Sequence, residues 1–261
     1  LTLGLKVFQL RDLPSSESES MTPSEIMLNF TQADTSLKDT MMAARKQRKA
    51  MGPIFVDLVT RLGYQSTREM DQLEVNALVP VLFLLAEWRE PFAYRPTIRV
   101  LSRPIPIVER LFGDHAIDSG GYRILASTFD GDLEPLCEAA CNPHADEYVR
   151  GTFMSALVLV SLAHPEKRNE VEGFFRQFRV LCPEAPGDVM ITWMDCIAEL
   201  GLEDMAENVR DAMQKEMIPR YHTDFASFEA KLRETVDGNG VPTGGRYRQF
   251  LVSDAISDLI N

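Results

Sequence analysis

Apolar residues recur along this chain at three- and four-residue spacing, and sustained alternation is absent. Tyr94, Ile98 and Leu101 share one helical face, as do Leu133, Leu136, Cys137 and Ala140, and then Val171, Phe174, Phe175 and Phe178. A period near 3.6 residues marks amphipathic helices. The pattern predicts helices over 24–29, 37–51, 54–62, 71–88, 91–102, 105–112, 122–128, 132–141, 147–163, 167–181, 188–200, 202–217, 224–235 and 253–260. Gly52-Pro53 is expected to separate the second from the third, because proline lacks an N–H and suits a helix start. Gly63 is expected to cap the third. Asp71, Asp132, Asp146, Asp188 and Asp224 stand where an N-cap carboxylate can accept from the first turn. Short links favour antiparallel neighbours.

The helices repeat in pairs. LLAEWREPFAYRPTIRVLSRP (84–104) and ILASTFDGDLEPLCEAACNP (124–143) each carry Leu-Ala, a polar turn, an amphipathic helix and a proline-marked stop. The pairs at 147–181 and 188–217 repeat the theme with a loose period of about 40 residues, interrupted by an insertion at 103–121. This predicts an all-α fold, a right-handed α-α superhelix of solenoid type. Residues 1–22, which include SSESES, are too polar to bury anything and read as a mobile tail. Residues 23–261 read as one helical-repeat domain.

The stretch DEYVRGTFMSALVLVSL (146–162) places Arg150 in the first turn of an otherwise apolar helix. Here the sequence resembles HEAT repeats, through Gly131-Asp132, Pro135-Leu136, Pro143, Asp146, Val149-Arg150 and Ala156-Leu157. The resemblance implies that Asp146 and Arg150 tie this repeat together or to a neighbouring loop. Phe153 departs from it, since the pattern prefers a small residue there. Over roughly 35–240 the chain resembles the bacterial family known as domain of unknown function 1186. MMAARKQRKAMGPIFVDLV, LFLLAEWREPFAYRPTIRVLS and ERLFGDHAIDSGGYRILASTFDGDLEPL carry the likeness. Ile117-Asp118-Ser119 departs from the family's Thr-Glu pairing. The family implies a helical-repeat fold and a bacterial source, and no established activity. The cysteine-rich zinc motif of some relatives is not found in this sequence.

Composition narrows the function. The 261 residues carry a net charge of -12, which repels phosphate backbones and anionic lipid. No apolar run approaches the roughly 20 residues of a membrane span, and LTLGLKVFQL lacks a secretory cleavage pattern. Four cysteines in a chain of this length do not make a disulfide framework, so a reducing, cytoplasmic setting is expected. Cys137, Cys141 and His144 have ligand-like spacing, but Asn142-Pro143 interrupts the helix between them. A structural zinc wants four ligands, so no metal and no cofactor are expected. The basic run Arg45, Lys46, Arg48, Lys49 reads as one solvated helix face.

Two regions remain as candidate sites. The exposed rows of the second helices put Arg95 and Arg99, then Glu134 and Glu138, then Arg176 along an expected concave surface. Those charges fit two readings: inter-repeat salt bridges, or a partner-binding groove anchored by Trp88 and Tyr94. The second region is GDHAIDSGGYR (113–123), where Asp114 and His115 could form an acid–base pair. The function expected is a non-catalytic scaffold or adaptor for another protein, as monomer or homodimer, without nucleic acid or membrane. The alternative is an enzyme or lyase-like protein that holds a ligand on the concave face at the 113–123 loop.

Overall fold

The computed structural model describes residues 21–32, 36–112, 116–219, 224–238 and 251–260, excepting the side chains of 116–119. Its helices are α1 (Pro23–Thr31), α2 (Leu37–Lys46), α3 (Arg48–Tyr64), α4 (Gln72–Glu87), α5 (Tyr94–Leu101), α6 (Ile105–Phe112) and α7 (Ala116–Ser127). They continue with α8 (Glu134–Cys141), α9 (Glu147–Ala163), α10 (Arg168–Leu181), α11 (Gly187–Glu199), α12 (Ala206–Gln214), α13 (Phe225–Asp237) and α14 (Ala255–Ile260). No strand occurs among the described residues. The fold is all-α and superhelical. One layer runs α4, α7, α9, α11, α13, each helix packed on the next. Over it lies a second row, with α3 on α4, α8 on α9, α10 between α9 and α11, and α12 on α13, while α5 bridges α3 and α8.

Burial explains the composition of α9. From Val149 to Ser161 every residue is buried, because α7, α8, α10 and α11 all pack against this helix. A helix covered on every side is apolar on every side, and only its first turn can hold an arginine that reaches out of the core. Arg150 is 3% exposed and donates from Nε to the Ala140 carbonyl at 2.8 Å. That carbonyl lies in the last turn of α8, where helix acceptors lack internal partners. Asp146 accepts from the Tyr148 and Val149 backbone N–H groups and caps α9. The two residues thus hold the α8–α9 junction by separate bonds, one at each helix end.

The first layer packs closely because glycines stand at its crossings. A Cβ on Gly120 would lie 2.7 Å from Phe83 of α4. On Gly121 it would lie 2.9 Å from Thr152 of α9, and on Gly151 3.0 Å from Thr192 of α11. Phe153 is wholly buried, and the small residue that a tight crossing requires is Gly151 two positions earlier.

Several boundaries differ from expectation for physical reasons. The break between α2 and α3 falls at Gln47, and α3 runs through Gly52-Pro53 without interruption. Pro53 is on the exposed side of the second turn of α3, where the bond it cannot make leaves a solvent-facing carbonyl. The basic run is therefore split between two helices. Arg45 pairs with Glu87 and Asp254, and Arg48 donates to the Trp88 carbonyl, so no single solvated face exists. Gly63 lies inside α3 and caps nothing. Asp188 stands in the first turn of α11, whose N-cap is Pro186. At 116–121, expected as loop, the chain is already helical as the start of α7. Of the expected tail, 1–20 lie outside the described residues, whereas Thr22 caps α1 in a reciprocal box with Glu25.

The C-terminal segment returns to the opposite end of the stack. Arg89 donates to the Val252 carbonyl at 2.6 Å, and Val252 N donates to Ser127 Oγ at 2.9 Å. Ala255 N donates to Glu87, and Arg123 pairs with Asp258 at 2.9 Å. These bonds seat α14 against α2 and α4, covering apolar surface at the N-terminal end.

Candidate binding cleft

The charged positions singled out on the second helices fall into two groups. Arg95, at the start of α5, reaches across to the turn before α8, donating to Asp130 at 2.8 Å and Asp132 at 2.6 Å. These bonds raise the Arg95 pKa, and the Glu134 backbone N–H together with Arg95 lowers that of Asp132. Arg176 on α10 pairs with Asp204 at 2.8 Å and Glu172 at 3.1 Å, which raises its pKa and lowers that of Asp204. Arg179 reaches Asp211 of α12 at 2.9 Å. Arg95, Arg176 and Arg179 thus join successive repeats, each through an exposed or half-exposed pair of modest strength.

Arg99 is placed differently. It is one turn beyond Arg95 on α5, and its guanidinium carbon sits 4.3 Å from the centroid of the Tyr64 ring on α3. Its stem passes over Gly63, where an added Cβ would meet Arg99 Cδ at 3.2 Å. Gly63 is therefore a position of close approach. Cation–π contact satisfies the charge in part but uses none of the five N–H donors. One further turn along, Arg103 donates from Nη1 to the Leu62 carbonyl at 2.7 Å, and burial lowers its pKa.

Arg95, Arg99 and Arg103 line one cleft between α5 and α8. Its volume is about 680 Å³, and Glu138, Asn142 and Pro135 form the facing wall. Ile98 and Ala139, both nearly buried, provide apolar floor. The size falls in the range of ligand-holding clefts, about 300–1,000 Å³. Among the positions expected on the groove, Arg95, Arg99 and Glu138 meet here, while Glu134 and Arg176 stand elsewhere. Sequence reasoning missed Arg103, although it continues the four-residue spacing of Arg95 and Arg99. Tyr64 and Gly63 carried no local signal, since only the packing of α3 on α5 brings them in.

The two aromatic anchors expected for the groove are corrected. Trp88 is 4% exposed and stacks on Phe55 at 5.6 Å, and Tyr94 is 0% exposed. Tyr94 donates to the Asp132 carbonyl at 3.0 Å and packs edge-on against Phe129, and burial raises its pKa. Both are core residues. The exposed aromatics among the described residues are Tyr64, 66% exposed, Phe92, 77% exposed, and Tyr148, 63% exposed. Phe92 borders a second groove of about 640 Å³ with Pro53, Val56 and Thr60 of α3.

Asp114 and His115 lie outside the described residues, as does the side chain of Asp118. Cys141 is bonded to Cys182, with Cα atoms 5.8 Å apart, so a disulfide fastens the end of α8 to the residue after α10. Cysteine number argues against a disulfide framework, but it carries no information about which helix ends meet and so does not bear on this single bond. This bond also removes the argument from cysteine usage for a reducing compartment. With Cys141 so occupied and His144 beyond the helix end, the considered metal trio does not assemble. Burial, with the Glu170 and Asp132 carboxylates, pushes the Cys137 thiol up to about 12. No helix among the described residues is long and apolar enough to cross a membrane.

No curated protein and no solved structure matches the chain. Over residues 21–260 the sequence matches the family described as "Protein of unknown function (DUF1186)", and the chain belongs to that family.

Proposed function

We propose that the protein is a non-catalytic helical-repeat adaptor that holds another protein in the α5–α8 cleft. The observation that carries this reading is Arg99, an exposed guanidinium on a rigid helix, whose N–H donors meet no acceptor among the described residues, in a cleft with an apolar floor. Most arginines of the second row are engaged by carboxylates of this chain, at Arg61, Arg95, Arg168, Arg176 and Arg179. Arg99 is held against Tyr64 instead, which orients the side chain and leaves its donors for a partner. Repeat arrays bind through such surfaces because their stacked helices present side chains in fixed rows.

The experiment is affinity capture from lysate of the source cell, read by mass spectrometry. The wild type is compared with Arg99→Glu and with Arg233→Glu, an exposed arginine of α13 that gives the same charge change away from the cleft. Arg95 is avoided, because replacing it also breaks the bonds to Asp130 and Asp132. A stoichiometric protein retained by the wild type and Arg233→Glu but lost from Arg99→Glu supports the adaptor. Equal capture by all three removes the cleft from the reading.

A further inference from the structure

We infer that the α5–α8 cleft recognises an acidic peptide segment, with Arg99 and Arg103 clamping a side-chain carboxylate of the partner. This rests on the adaptor reading and names the chemistry of its partner. The argument begins from charge. The chain holds 39 acidic residues against 27 lysines and arginines, so a guanidinium on its surface has carboxylates of its own chain in excess. Arg95 shows the usual outcome, bridging two aspartates at the cleft's upper edge. Arg99 and Arg103 follow at successive turns of the same helix and its exit, and neither meets a carboxylate among the described residues. Arg99 rests on a ring, and Arg103 spends one donor on the Leu62 carbonyl. The cleft therefore keeps two cations that no carboxylate among the described residues pairs with.

The geometry suits a carboxylate on an extended segment. Guanidinium forks bind planar carboxylates through paired hydrogen bonds, and a stem braced by Gly63 and Tyr64 loses little freedom on binding. The facing wall offers the Glu138 carboxylate and the Asn142 amide, which can receive backbone N–H groups or a basic residue next to the acidic one. Ile98, Ala139 and Pro135 give apolar contact between the polar walls. Glu138 also works against a long polyanion, which the net charge of -12 repels over the whole surface. A short acidic motif fits this balance better than a nucleic acid.

The test measures fluorescence anisotropy of a fluorescein-labelled, acetylated and amidated hexaglutamate, with hexaglutamine as the neutral control. The full chain is used as wild type, Arg99→Glu, Arg99→Lys and Arg233→Glu, each checked for an unchanged circular dichroism spectrum and melting temperature. The expected result is saturable binding of hexaglutamate alone, weakened at least tenfold by Arg99→Glu and unchanged by Arg233→Glu. Arg99→Lys should weaken it by a smaller factor, since lysine keeps the charge but loses the paired geometry. Binding that falls equally in Arg99→Glu and Arg233→Glu would mean diffuse attraction and would overturn the inference, as would no binding at all. Displacement of hexaglutamate by equal concentrations of pyrophosphate would reassign the site to small anions. A protein captured through Arg99 that hexaglutamate fails to displace would leave the adaptor standing and refute its acidic chemistry alone.

Discussion

Replacing a helical glycine by alanine normally stabilises a helix by about 0.5–1 kcal/mol, because the unfolded chain loses freedom and the helix gains propensity. The fold described above reverses that sign at Gly121 and keeps it at Gly173. Gly173 is on α10, and a Cβ there meets nothing within 4 Å. Gly173→Ala should therefore add up to about 1 kcal/mol. At Gly121 the new Cβ would lie 2.9 Å from Thr152 Cγ2, across the α7–α9 crossing. Thr152 is β-branched and buried, and its hydroxyl is bonded to the Tyr148 carbonyl at 3.1 Å, so rotating away loses that bond. Overpacking of a core costs about 1–3 kcal/mol and a lost hydrogen bond about 1 kcal/mol. Against a helix-propensity gain of about 1 kcal/mol, the net is a loss of about 1–3 kcal/mol. For a chain of this size each kcal/mol moves the melting temperature by about 2–4 °C. Differential scanning calorimetry should show Gly173→Ala rising and Gly121→Ala falling. Thr152→Ser, which removes Cγ2 and keeps the hydroxyl, should restore much of the loss when combined with Gly121→Ala. A Gly121→Ala protein as stable as Gly173→Ala, or a double variant without rescue, would refute the close crossing.

Arg150→Ala should lower stability by about 2–4 kcal/mol in urea unfolding, by removing a charged hydrogen bond to the Ala140 carbonyl and the packing of the stem. Arg150→Met should cost less, since it keeps the apolar stem, and equal losses would deny the packing contribution. Thiol titration of the denatured, unreduced protein should find Cys137 and Cys196 free and Cys141 and Cys182 blocked. With its cysteines 41 positions apart, the disulfide should be worth about 4 kcal/mol, so reductant or Cys182→Ser should lower the melting temperature; four free thiols would contradict the bond. Arg45 and Ser257 hold the Asp254 carboxyl down to about 2, against an ordinary 3.8. Its folded pKa is depressed, so its stabilisation is present above the unfolded value and is lost as pH falls from about 4 towards 2. Asp254→Asn should flatten that part of the stability–pH curve, and parallel curves for variant and wild type would show that the clasp contributes nothing.

Much of the architecture was legible because helical periodicity reports burial directly. The inward faces expected of α5, α8 and α10 are the buried faces, with only Cys137 left partly exposed. Helix ends were less legible, because local signals compete. Gly63 and Gly52-Pro53 look like punctuation, but α3 runs through them once α4 and α5 pack against it. The reverse happens after α4, which ends at Arg89 in the left-handed region, φ 56°. Its Schellman bonds run from Arg89 N to the Ala86 carbonyl and Glu90 N to Leu85, and Arg89 is anchored by the returning Val252 carbonyl. The same motif ends α11 at Gly201, where glycine makes it readable.

The cleft was half legible for a related reason. Spacing on α5 puts Arg95 and Arg99 on one face, but sequence treats them as equivalent. Only tertiary structure separates them, giving Arg95 two aspartates and Arg99 a tyrosine ring. Trp88 and Tyr94 misled because large aromatics with a polar atom suit interfaces and cores alike. The Cys141–Cys182 bond, like the seat of α14, joins segments far apart in sequence and leaves no periodic trace.

The most direct test of the account is hydrogen–deuterium exchange on the protein alone and in complex with the captured partner. Slowed exchange is expected in peptides covering 95–104 and 134–142, with none at the Phe92 groove, which lies earlier along α3. Protection confined to that second groove, or to α13, would contradict the assignment of the α5–α8 cleft as the binding surface.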